Sequence, residues 1–266
     1  MFTAFQIQFM QKALIVCLIT GGFLSFLGVY IVLRRIVFVG IALSQITACG
    51  FALGFLLCIN PSICAVIFTL IGVILLSVRQ TEKKIPHESA IGLSYALASS
   101  LGILFVAKSP QAETHILNLL SGNILTITNS QVYTSLAVFS FAAVSHYLFY
   151  KQFIFVSFDS ETSSTSGLNT KLWNFIFYLI LGIVISTSIK TSGVILTFGY
   201  MVIPAVSALI AVRNLKKVFF ISVIFGLIAS FFGLYLSFIL DLPSGPTIVV
   251  VLCILSGLIW LIKKLF

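Results

Sequence analysis

From Ile36 to Val78 the chain contains no Asp, Glu, Lys, Arg or His. The same holds from Ala13 to Leu33, Ser89 to Ala107, Leu172 to Ile189, Thr191 to Val212, Val218 to Leu240 and Leu242 to Ile262. A helix crosses the hydrocarbon of a bilayer with roughly 20 apolar residues, and these runs are long enough to do so. Strands of a membrane barrel would alternate polar and apolar residues over about 10 positions. These runs are continuous, so the chain reads as all-α: a polytopic transmembrane helical bundle. Composition agrees. Only 8% of the residues are charged and the mean hydropathy is +1.20, where a soluble domain carries about a quarter charged residues.

Length and flanking charge place about nine spans on a single transmembrane domain covering 1–266. They run near Lys12 to Leu33, Ile36 to Leu57, Pro61 to Val78, Ser89 to Ala107, Gln131 to Tyr150, Leu172 to Ile189, Ser192 to Val212, Val218 to Leu240 and Pro246 to Ile262. The first run lacks a basic n-region and a small-x-small cleavage site, so it reads as a retained span. With the N-terminus outside, the inner loops hold Arg34, Arg35, Arg79, Lys83, Lys84, Lys151, Lys171, Arg213, Lys216, Lys217, Lys263 and Lys264. The outer side keeps Lys12, Lys108 and Lys190. Twelve against three accounts for all fifteen basic residues, and the positive-inside rule therefore favours N-out and C-in. The net charge of +9 is spread singly and in pairs between apolar runs, unlike a nucleic-acid-binding face with interleaved aromatics.

Small residues mark where helices are expected to approach closely. Gly50 and Gly54 form G-x-x-x-G, and Gly226 with Ser230 and Ala229 with Gly233 repeat the spacing. The five cysteines, Cys17, Cys49, Cys58, Cys64 and Cys253, show no C-x-x-C spacing and read as small buried hydrophobes. Gly193, Gly199 and Pro204 are expected to interrupt the seventh span, Pro204 by removing a backbone donor. Such a break serves either as a structural kink or as a gate, where the freed backbone lines protein or a wet cavity.

Catalytic chemistry finds no foothold. There is no H-E-x-x-H, no G-x-S-x-G elbow and no G-x-x-x-x-G-K-[ST] phosphate loop. The chain is therefore not read as an enzyme, and it binds no ATP through such a loop. Within the spans His146 is the only titratable histidine, near the inner end of its helix. A proton-driven carrier needs an ionisable relay at depth, so that class is disfavoured. Between the fourth and fifth spans, Lys108 to Ser130 holds Glu113, His115 and LLSGNIL from Leu119 to Leu125. It fits a short helix at the outer mouth, with Glu113 and His115 either solvated or a metal-ligand pair.

The longest polar stretch is KQFIFVSFDSETSSTSGLNTK, from Lys151 to Lys171, and it holds two of the six acids, Asp159 and Glu161. It is expected to face the cytoplasm and to touch another protein. Asp159 suits the cap of a short helix, Glu161 its first turn and Gly167 its end. A mobile linker is the other reading, since Ser160 to Ser166 is rich in Ser and Thr.

VLRRIVFVGIALSQ, LLSGNIL, SFDSETSSTSGL, SGVILTFGYMVIPAVSALIA and DLPSGPTIVVV follow one another in this chain. In order and spacing they resemble the permease subunit of bacterial ABC-type importers for manganese, zinc or iron, over nearly the whole length. The resemblance implies a multi-pass protein of the bacterial inner membrane with three kinds of partner. These are a second permease chain, identical or paralogous, a cytoplasmic ATPase dimer carrying ATP and Mg, and an extracytoplasmic solute-binding protein. It implies no cofactor or resident metal on this chain. It assigns ATPase coupling to Phe158, Asp159, Glu161 and Gly167.

The resemblance also exposes a departure. Family members usually read Gly-Asp-Ala-x-Ser-His in the second span, and the Asp and His can hold a passing dication. Here the stretch is Gly40, Ile41, Ala42, Leu43, Ser44 and Gln45. A dication prefers carboxylate or imidazole ligands to a neutral amide. The stripe of Ile41, Ser44, Gln45, Thr47 and Cys49 either lines a translocation path or hydrogen-bonds between helices. The expected function is thus an ATP-driven metal-ion permease. An ATP-independent facilitator, an importer of chelated or non-metal cargo, and a non-transport membrane subunit are the rivals.

Overall fold

The computed structural model describes residues 8–78, 86–109, 127–158 and 160–265. Its described elements are helices, in chain order α1 (Gln8–Leu33), α2 (Val37–Leu56), α3 (Pro61–Val78), α4 (His87–Ala107), α5 (Asn129–Leu148), α6 (Tyr150–Phe158), α7 (Ser160–Thr165), α8 (Thr170–Ser192), α9 (Val194–Ala211), α10 (Leu215–Ile239) and α11 (Ser244–Leu265). Seven are long and apolar enough to cross a membrane, or eight when α5 and α6, bent by 75° at Phe149, are taken as one span. Pro61–Ser77 is a shorter apolar helix.

Helix starts follow local chemistry. At α5 the Thr128 amide donates to Gln131 Oε1 at 2.9 Å, and the Gln131 amide donates back to Thr128 Oγ1 at 3.4 Å. This reciprocal capping box sets the helix start ahead of the expected Gln131. Asn169 accepts from the Leu172 amide at 3.1 Å, and Asn214 from the Lys216 amide at 3.0 Å, each satisfying one orphan donor of α8 or α10. Pro61 opens α3, where its missing N–H costs nothing.

The helices sort into two compact units. One draws on Met1–Val32, Asn118–Ser140 and Thr187–Phe266, the other on Leu33–Leu117 and Phe141–Ser186. In the first, α10 lies along α1 through small residues. A Cβ on Gly226 would come within 2.5 Å of the Gly21 carbonyl oxygen. Ser222 Oγ donates to the Ser25 carbonyl at 2.8 Å. Ser230 Oγ lies 2.5 Å from Tyr200 Oη and 3.2 Å from the Cys17 carbonyl oxygen. On the same helix Gly233 backs against Ile248 of α11, its absent Cβ 2.7 Å from the Ile248 Cα. Where a hydrophobic drive between helices is missing, close backbone approach and hydroxyl hydrogen bonds hold them together.

In the second unit the G-x-x-x-G pair of α2 does the same work. Cβ atoms on Gly50 and Gly54 would fall 2.8 Å from Ala65 Cα and 2.5 Å from Pro61 Cα, so α3 packs directly on that face. The apolar side chains left exposed on α3, α4 and α11, among them Ile67, Leu97 and Ile254, are ordinary where the surroundings are lipid.

The reading of the cysteines needs correction at two positions. Cys17 and Cys49 are buried and Cys64 is half-buried, but Cys58 and Cys253 are exposed. Cys58 sits in the turn after α2 with φ of 55°, and Cys253 lies on an exposed apolar stretch of α11.

Candidate coupling segment and pathway helix

Among the five residues of the α2 stripe the structure separates two groups. Ser44 is fully buried and donates to the Gly40 carbonyl at 2.8 Å. The hydroxyls of Thr47 and Thr69 lie 2.7 Å apart, and each also reaches a carbonyl one turn back, Leu43 at 2.8 Å and Ala65 at 2.7 Å. Cys49 is buried in a cluster with Ile46 and Ala98, edged by Phe68, Leu101 and Phe105. Thr47 and Cys49 thus serve the packing of α2 on α3 and α4, while Ser44 is spent on its own helix. Ile41 and Gln45 keep partial exposure, and being four apart they share one helix face.

The polar stretch takes shape after α5. Backbone bonding continues through the 75° bend, the Phe149 amide donating to Ser145 at 3.1 Å and the Phe153 amide to Phe149 at 3.0 Å. The turned helix α6 exposes Lys151 and Phe158 but buries Phe153, Val156 and Ser157. Phe153 stacks on His146 at a centroid distance of 4.7 Å and meets the edges of Trp173 at 5.7 Å and Phe177 at 6.1 Å. The expectation that all of Lys151 to Lys171 faces water is therefore corrected for its first part. KQFIFVSF carries an apolar stripe at helical spacing, and α8 offers aromatics to cover it. His146 itself is buried, with Nδ1 3.0 Å from the Ala142 carbonyl oxygen.

Beyond α6 the chain does face outward. In α7 and the residues after it Thr162, Ser164, Thr165, Ser166 and Gly167 are exposed, while Ser163 is buried. Gly167 has φ of 84°. Its amide donates to the Ser164 carbonyl at 3.2 Å, and the Leu168 amide donates to the Ser163 carbonyl at 3.2 Å. This pair of bonds is the Schellman ending, which satisfies the last carbonyls of a helix around a left-handed residue. Phe158 and Gly167 thus bracket a short helix, and the Glu161 backbone lies within it. Asp159 lies outside the described residues, as do Glu113, His115, LLSGNIL, Arg79, Lys83 and Lys84.

In the sequence Arg34 is one of the twelve inner-loop charges and carries no other mark. In the structure its Nε donates to Ser157 Oγ at 2.8 Å, and Nη1 donates to Asn174 Oδ1 at 2.8 Å. Its guanidinium carbon stands 3.9 Å from the Phe177 ring centroid. Ser157 in turn donates to the Phe153 carbonyl. One side chain at the α1–α2 corner therefore holds α6 and α8. The only local signal was Asn174, a polar residue inside an apolar run.

In the other unit Gly193, with φ of 80°, forms the joint between α8 and α9. The expected interruption falls there alone, because α9 runs unbroken through Gly199 and a buried Pro204. Gly199 is a close-approach site, where a Cβ would lie 2.8 Å from Val249 Cγ2 of α11. Among the described residues no three His, Cys, Asp or Glu side chains gather as a metal site.

Known proteins resemble this chain in sequence and in fold. A family model described as the ABC 3 transport family matches residues 6–263. The "Manganese transport system membrane protein MntC" of Listeria monocytogenes is 28% identical, over 94% of this chain and 89% of its own. The "Probable iron transport system membrane protein" of Haemophilus influenzae is 27% identical, over 98% and 91%. Among solved structures, "PsaBC from Streptococcus pneumoniae in complex with Fab" superposes with a TM-score of 0.83 at 26% identity, covering 97% of this chain and 91% of that one.

Proposed function

The chain belongs to the ABC 3 transport family, and from that premise we propose that it is the membrane-spanning subunit of an ATP-driven importer of divalent transition-metal ions. Manganese and iron are the cargoes of the relatives' names, and zinc belongs to the same chemical class. In a bacterium the membrane is the cytoplasmic one. ATP hydrolysis falls to partner ATPase subunits, an extracytoplasmic binding protein delivers cargo, and a second permease chain completes the path.

The observation that carries this reading is the exposed short helix bracketed by Phe158 and Gly167, at the end of a helix turned 75° from its span. Phe158, 51% exposed, gives an apolar contact for a docking groove. Asp159 and Glu161 supply charge, and the Gly167 ending fixes the length of the knob. Nine spans, N-out and C-in, put it in the cytoplasm. The seven long helices, the bent pair and Pro61–Ser77 support that count, and the twelve-to-three charge asymmetry supports the orientation.

The translocation path runs along the Ile41 and Gln45 face of α2, with Ser44, Thr47 and Cys49 backing it. Gly193, at the joint between α8 and α9, is the gating position, with Gly199 and Pro204 inside the unbroken helix that follows it. The neutral pair on α2 favours one second reading, a chelated or less charged cargo, because neither residue replaces the lost carboxylate and imidazole. The test is co-purification followed by uptake. Vesicles holding the chain with its ATPase and binding protein should take up Mn²⁺ only with ATP. Uptake without ATP or without a bound ATPase would establish the facilitator instead.

A further inference from the structure

We propose that Arg34 is a positioning residue for transport, tying the docking segment to the corner from which the pathway helix starts; this rests on the docking role given above to residues 151–171. Arg34 reaches Ser157 and Asn174, residues 123 and 140 positions away, with separate nitrogens of one guanidinium. The guanidinium carbon stands over the Phe177 ring. Ser157 is the penultimate residue of α6, directly before the exposed knob. A push on the knob therefore arrives first at Ser157 and then at Arg34.

The corner is built to pass such a push on. α1 ends at Leu33 and α2 begins at Val37. Between them Arg35 is held at φ of 57°, in the left-handed region that non-glycine residues rarely occupy, and Ile36 follows at φ of −112° and ψ of 35°. Three residues in a tight turn have no slack to absorb a displacement of Arg34. Val39 already bonds back to the Ile36 carbonyl at 2.9 Å. Ile41 is the fifth residue of α2, about 6 Å along its axis from Val37 at 1.5 Å per residue. Motion at Arg34 thus turns or shifts the face carrying Ile41 and Gln45 as one rigid element.

Arginine chemistry fits the task. A guanidinium presents several donors in a fixed plane and stacks on an aromatic face, so it holds two elements and a ring at once. A lysine offers a compact charge on a flexible stem and holds one partner at a time. At the inner end of a span a simple anchor would need only the charge.

The experiment compares full complexes in proteoliposomes: permease, ATPase and binding protein, with Mn²⁺ as the probe cargo. The readout is Mn²⁺ taken up per ATP hydrolysed. Misfolded protein lowers uptake and hydrolysis together, so a purely structural role leaves this ratio unmoved. Arg34→Ala should retain the ATPase yet lower the ratio about tenfold, and Arg34→Lys about threefold, because only the charge survives. Ser157→Ala and Asn174→Ala should each lower it about threefold, and less than additively with Arg34→Ala. A wild-type ratio in Arg34→Ala overturns the proposal. If Arg34→Ala does not accumulate, a wild-type ratio in Arg34→Lys, Ser157→Ala and Asn174→Ala overturns it equally. A wild-type chain that binds no ATPase would instead overturn the docking reading, and this proposal with it.

Discussion

Gly28 lies so tightly against Met201 that a Cβ on it would fall inside the Met201 carbonyl group. The contact joins α1 to α9, where no side chain separates the two backbones. Gly28→Ala should therefore lower stability by about 1–3 kcal/mol, because the helices must part or distort. Gly92 is the control. It lies in α4 with nothing within 4 Å of its Cβ position. Gly92→Ala should raise stability by about 0.5–1 kcal/mol through backbone entropy alone. Thermal unfolding of both variants in detergent checks the pair, and equal shifts would contradict the packing assigned to Gly28.

Gly167 occupies the left-handed conformation with nothing near its Cβ position. The cost of Gly167→Val is then conformational rather than steric, about 1–2 kcal/mol, and confined to the end of α7. The variant should insert and melt like the parent but bind the ATPase about tenfold more weakly. Titration of the ATPase onto permease in nanodiscs measures this. Removing Ser160 to Ser166 should abolish cargo-stimulated ATP hydrolysis while leaving insertion intact, and unchanged stimulation would refute the docking role.

Ile41 and Gln45 share the half-exposed face of α2. The double substitution Ile41→Asp with Gln45→His should raise metal retained by the purified complex at least about tenfold, since it restores a carboxylate and an imidazole four residues apart. Elemental analysis after gel filtration reads it out. Ser44→Asp, at a fully buried position bonded to Gly40, should instead destabilise the chain without adding metal. Retention unchanged in the double variant would remove this face from the path.

Cys58 is exposed in the turn after α2, and Cys253 is exposed along α11. In the proposed N-out orientation Cys58 is expected to meet the outer solution and Cys253, within a span, the lipid. A membrane-impermeant maleimide added to intact cells should label Cys58 and leave Cys253 untouched, because the charged reagent travels only through water and Cys253 lies within a span. Cys58→Ser should remove the signal. Labelling of Cys58 only after the inner face is opened would invert the proposed orientation.

The long helices and some of their close-approach sites were legible in the chain itself. In hydrocarbon every backbone group must be satisfied within its own segment, so an uncharged run of sufficient length has little choice but to be a helix. Gly50 with Gly54, and Gly226 with Ser230, could be recognised as close-approach sites because small residues have few other uses at that spacing. Gly167 announced its helix end because the left-handed conformation favours glycine. The tertiary structure alone decided which face of α2 remains open, since Thr47 and Cys49 are claimed by partners on α3 and α4 and Ser44 is buried. It alone turned α6 against Trp173 and Phe177, and it alone gave Arg34 its partners. Local pattern reports what a residue can do with its neighbours in sequence. A contact spanning 123 positions exists only once the helices between have been packed.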